Sequence, residues 1–75
     1  MADVILDAKG LNCPLPILKA KKALKDVPVG GTLEVLATDA GSVADFAAFC
    51  RATGNVLAES SIDGGVYRFI IRHSP

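Results

Sequence analysis

Residues 10–16, Gly-Leu-Asn-Cys-Pro-Leu-Pro, set one cysteine just ahead of a helix-forming stretch and follow it with two prolines. A thiolate is the reactive form of cysteine, and a helix N-terminus favours it through the macrodipole and unpaired amides. Cys13, placed at or beside the N-cap with Pro14 near the first helical position, is therefore expected to ionise below the free-thiol value of about 8.5. Pro14 and Pro16 remove two first-turn donors, which leaves chiefly the amides of Leu15 and Ile17 for this purpose. The prolines stiffen the backbone and present the sulfur to solvent.

The surroundings of Cys13 narrow its chemistry. No second cysteine follows at Cys-X-X-Cys spacing, so a resolving or accepting thiol must come from another molecule. The one histidine, His73, falls at a C-terminus expected to fray, which argues against a Cys-His protease. Cys50 shares an apolar helix face with Val43, Phe46 and Ala47 and reads as core. A lone exposed thiol is suited to accept a sulfur atom as a persulfide and pass it on, or to be oxidised. With two cysteines and one terminal histidine, a metal site has no support.

The elements that must hold this thiol follow from the apolar pattern. Val4 to Leu6, ending at Asp7, reads as a strand, and Pro14 to Lys25 as a helix with Ile17, Ala20, Ala23 and Leu24 facing the core. Leu15 and Leu18 are then left among Lys19, Lys21, Lys22 and Lys25, as apolar anchors ringed by cations that would suit an acidic partner. Thr32 to Ala37 alternates as a strand. Ser42 to Asp45 resembles a capping box opening a helix through Thr53, which Gly54 stops. Val56 to Ile62 and Val66 to Arg72 flank the hairpin signal Asp63-Gly64-Gly65. The order βαβαββ predicts a two-layer α/β sandwich, a four-stranded mixed sheet with both helices on one face. Glu34, Arg68 and Arg72 are expected on the other face. Asp39-Ala40-Gly41, after the second strand, should border Cys13, with Asp39 capping or orienting the loop.

Composition agrees with one small globular domain. The 75 residues are 51% hydrophobic and 21% charged, with eight basic against eight acidic side chains. Zero net charge removes the electrostatic footprint of a dedicated nucleic-acid binder. Residues 1–25 nevertheless carry five lysines against two aspartates, so one end is basic. No apolar run approaches the roughly 18 residues of a membrane span. The start, Met-Ala-Asp-Val, lacks a signal-peptide pattern, so a cytoplasmic, reducing location is expected.

Leu6-Asp7, Gly10 to Pro16 and the lysine-rich helix resemble the TusA (SirA-like) sulfur-carrier family, small βαβαββ sandwiches with a Cys-Pro-X-Pro motif. The similarity continues through Ala37-Thr38-Asp39, Gly41-Ser42, Asp45 and the closing hairpin; Ala40 departs from it, where many members have proline. The resemblance implies that Cys13 carries sulfane sulfur as a persulfide, with Gly10, Pro14, Pro16 and Asp39 as supporting motif residues and no cofactor beyond that sulfur. It implies a cysteine desulfurase or rhodanese as donor and a sulfur-relay protein as acceptor, serving tRNA thiolation, molybdenum-cofactor supply or sulfur oxidation. Leu15, Leu18, Lys19 and Lys22 are the expected partner surface, and the chain is expected to act as a monomer. Two other classes fit a small sandwich: an RNA-binding or regulatory module, and a single-cysteine redox sensor.

Overall fold

The computed structural model describes residues 3–75; Met1 and Ala2, part of the N-terminal segment considered above, lie outside them. The elements are β1 (Val4–Ala8), α1 (Leu15–Leu24), β2 (Thr32–Ala37), α2 (Ser42–Thr53), β3 (Val56–Asp63) and β4 (Val66–Arg72). β1 runs past Leu6 because Asp7 and Ala8 pair in parallel register with Leu36 and Ala37. α1 starts one residue later than the apolar pattern suggests, with Pro14 as its N-cap, and closes at Leu24. β3 takes in Asp63, which pairs with Val66, so Gly64 and Gly65 alone form the turn. Both have positive φ, 56° and 80°, as a two-residue hairpin turn of type I′ requires.

The sheet order is β1-β2-β4-β3. β1 and β2 are parallel, while β4 runs antiparallel to both its neighbours. α2 therefore carries the chain across β4 to the far edge before the hairpin brings it back between β2 and β3. α1 packs on β1 and β2, and α2 packs on β3, β4 and α1.

Alternation along the central strands separates two faces. Leu33, Val35 and Ala37 of β2 and Phe69 and Ile71 of β4 point under the helices and are fully buried. Phe46 of α2 stacks on Phe69 with ring centroids 4.6 Å apart. On the opposite face Arg68 reaches Glu34 at 3.2 Å and also pairs with Glu59, linking three strands through one guanidinium.

The helical faces sit slightly rotated from the expected ones. In α1 the buried stripe is Pro16, Ala20 and Leu24, while Ile17 and Ala23 are half-buried. Pro16 is thus a core residue as well as a stiffener, and its missing N–H costs nothing in the first turn. In α2 the stripe is Ser42, Phe46 and Cys50, and Val43 is 43% exposed. This spacing of four turns Ser42 inward, leaving Val43 outside.

The C-terminus is anchored where fraying was expected. The His73 N–H donates to Gly31 O at 2.9 Å, and the Gly30 N–H donates to His73 O at 2.8 Å. His73 Nδ1–H donates to Val27 O at 2.7 Å, and the Ser74 N–H donates to Asn55 Oδ1. These bonds extend the β4 end beyond the ladder itself.

Phe69→Ala removes one ring of the central stack and is expected to lower stability by about 3–5 kcal/mol. Urea unfolding monitored by circular dichroism measures this; a loss below about 1 kcal/mol contradicts the stack's role in the core.

Candidate functional site

Parallel pairing of β1 and β2 brings their C-terminal ends to one edge, so the loops that follow lie side by side. The β1–α1 loop is fastened to its neighbour by two backbone donors. The Gly10 N–H donates to Thr38 Oγ1 at 2.9 Å, and the Cys13 N–H donates to Asp39 Oδ2 at 3.0 Å. Gly10 has a φ of +83°, a region that side chains other than glycine rarely adopt, which fits this motif position to glycine. Asp39 also sets the start of α2, because its carbonyl accepts the Ser42 N–H at 3.0 Å. Its expected orienting role is therefore borne by a specific bond to the cysteine backbone.

Cys13 is exposed and precedes the N-cap of α1. The peptide joining it to Pro14 is cis. Its thiol donates to Asp45 Oδ2 at 2.7 Å, from the first turn of α2. This contact reverses the expected ionisation. The Asp45 hydrogen bond, then desolvation, then the negative charges of Asp45 and Asp39 lift the Cys13 thiol above its ordinary value.

The helix-dipole expectation fails for a local reason. The Leu15 N–H is already used by Asn12 O at 2.9 Å, Pro14 and Pro16 have none, and Cys13 lies outside the helix proper. The nearest strong group is a carboxylate, and it outweighs a weakened dipole.

The capping box does not form either. Gly41 is the N-cap of α2, and Ser42 is buried in the first helical position with its Oγ unpartnered. Asp45, freed from a capping role, turns to the thiol instead. It is the site residue that spacing alone misassigned, although an acidic side chain in the first turn of a helix bordering Cys13 was a usable signal.

Leu15 and Leu18 are 45% and 52% exposed, and Lys19 and Lys22 are exposed beside them. The spacing 15, 18, 19, 22 forms one stripe down α1, beginning two residues from the thiol. Cys50 is buried and free, and burial pushes its thiol up. A groove of about 220 Å³ opens at the C-terminal ends of the helices, lined by Lys21, Leu24, Lys25, Phe49 and His73 among others. It is remote in the fold from the loop that carries Cys13.

A single presented thiol on a loop of a βαβαββ sandwich, with its other cysteine shut in the core, defines a one-thiol protein of the carrier type. The family model described as "Sulfurtransferase TusA" matches residues 4–73, and the chain belongs to this family. It is 57% identical over 72 residues to the sulfur carrier protein TusA of Allochromatium vinosum, covering 96% of this chain and 95% of that one. It is 41% identical over 70 residues to the sulfur carrier protein TusA of Pseudomonas aeruginosa, covering 93% and 89%. The crystal structure of a SirA-like protein from Desulfitobacterium hafniense superposes with a TM-score of 0.82 at 30% identity, covering 96% of this chain and 99% of that one.

A raised thiol pKa fixes the sign of a pH effect. The Sγ–H bond to Asp45 stabilises the fold at neutral pH, and its contribution is lost as pH rises through the folded-state value. In a Cys50→Ser background, iodoacetamide should alkylate folded Cys13 at pH 7 more slowly than the same thiol in urea, with the gap closing in alkali. Faster reaction of the folded form at pH 7 contradicts the carboxylate contact.

Proposed function

We propose that the chain works in the cytoplasm as a sulfur carrier that takes sulfane sulfur onto Cys13 from a cysteine desulfurase or rhodanese and relays it to an acceptor protein. The finer purpose within this reading is tRNA thiolation, cofactor supply or sulfur-oxidation trafficking. The observation that carries it is the exposed Cys13 thiol, free and separated from a buried Cys50. Such a thiol has no internal partner with which to close a disulfide, so exchange must run between molecules.

In loading, the Cys13 thiolate attacks the terminal sulfur of the donor persulfide. The donor's S–S bond breaks, its inner sulfur leaves as a thiolate, and a new S–S bond forms on Cys13. Delivery repeats the step with an acceptor thiolate as nucleophile and Cys13 as leaving group. No net oxidation occurs.

Partner recognition is assigned to the α1 stripe. Leu15 and Leu18 supply apolar anchors, and Lys19 and Lys22 attract an acidic surface and orient it towards the sulfur. Leu15→Asp is expected to cut sulfur transfer about tenfold or more, the equivalent of about 1.4 kcal/mol, while leaving the melting temperature nearly unchanged. Normal transfer, or an unfolded variant, contradicts the stripe.

Intact-mass analysis after incubation with a cysteine desulfurase and cysteine tests the carrier itself. Wild type and Cys50→Ser should each gain one sulfur atom, removable by reductant, and Cys13→Ser none. A sulfur atom retained by Cys13→Ser, or no gain by wild type, overturns the assignment.

A further inference from the structure

The carrier reading needs a thiolate on Cys13, yet the structure surrounds that sulfur with negative charge. Asp45 of α2 accepts the S–H at 2.7 Å, and Asp39 of the β2–α2 loop accepts the backbone N–H of the same residue at 3.0 Å. On the cysteine's own loop, Lys9 lies 3.9 Å from Asp7 and is engaged there. Loss of the thiol proton would set a sulfur anion directly against the Asp45 carboxylate. A carboxylate is a far weaker base than a thiolate, so Asp45 holds the proton on sulfur and does not remove it.

We propose that Asp45 is a positioning residue that latches unloaded Cys13 as an S–H donor, and that the loading partner opens the latch by presenting a cation to the Asp45 carboxylate. The proposal rests on the carrier reading. Asp45 is half-buried and Cys13 exposed, so a partner seated over the start of α1 can reach both groups at once. A lysine or arginine paired with Asp45 removes the acceptor of the S–H and the like charge facing the incipient anion. The proton then passes to solvent, and the sulfur electron pair forms the bond to the donor's terminal sulfur. As the donor's S–S bond breaks, its pair stays on the inner sulfur, which takes up a proton from solvent. The latch slows the free carrier's reaction with small electrophiles and favours activation in the docked complex.

The test compares wild type, Asp45→Asn, Asp45→Glu and Asp39→Asn, all carrying Cys50→Ser and all checked for folding by circular dichroism. Iodoacetamide alkylation is followed against pH, and sulfur loading is followed by intact mass with glutathione persulfide and, separately, with a cysteine desulfurase. Asp45→Asn should move the alkylation midpoint to lower pH and raise the rate at pH 7.5 about three- to tenfold, since each pKa unit is a tenfold change in thiolate fraction below the midpoint. Asp45→Glu should stay near wild type, and Asp39→Asn should shift less than Asp45→Asn. Loading of Asp45→Asn from glutathione persulfide should accelerate similarly, while loading from the desulfurase should not.

An Asp45→Asn pH profile that overlays wild type overturns the latch. Equal acceleration with both donors overturns release by a partner cation. Failure of wild type to gain sulfur from either donor overturns the carrier reading instead, while the alkylation profiles still decide the latch.

Discussion

Two carboxylates reaching across from one loop region to its neighbour fix the cysteine from both sides. Asp39 takes its backbone N–H and Asp45 takes its S–H. The first bond sets where the sulfur sits, and the second sets its protonation state. Both depend on β1 and β2 lying in parallel register, with Ala8 opposite Ala37, so that the two loops leave the sheet together. The Phe46–Phe69 stack belongs to the same support, because it holds α2 on the sheet one residue beyond Asp45.

The chemistry follows from what this arrangement excludes as much as from what it provides. Cys50 is sealed under α2, so it cannot resolve an oxidised or persulfidated Cys13 without unfolding that region. The prolines divide two tasks: Pro14 caps α1 and Pro16 fills the core beneath it. What results is a thiol held outside the helix and in the open. A high thiol pKa suits an unloaded carrier, since exposed low-pKa cysteines are the ones most readily oxidised.

Much of this was legible in the residue pattern. Strand alternation gave β2 and β4 without error, and the paired glycines marked the hairpin, because these signals depend on local backbone geometry. The Cys-Pro-X-Pro stretch and its lysine-rich helix pointed to the correct family. The ionisation of Cys13 was misread, because it depends on a side chain 32 residues away in sequence. Ser42 and Asp45 fit a capping box by spacing, but the core claimed Ser42 and the thiol claimed Asp45. His73 was read as lying at a fraying end because its partners, Val27, Gly30 and Gly31, are distant in the chain. In each case a tertiary contact overrode a sound local rule.

The coupling between Cys13 and Asp45 is open to direct observation by NMR. With both residues carbon-13 labelled, the Cβ of Cys13 and the carboxyl carbon of Asp45 can be followed through one pH titration from acid to alkali. The cysteine is expected to titrate above the usual thiol value of about 8.5, and loss of its S–H bond in that step is expected to perturb the chemical shift of the Asp45 carboxyl carbon. A Cys13 titration below that range, or one that leaves the Asp45 signal unmoved, contradicts the account.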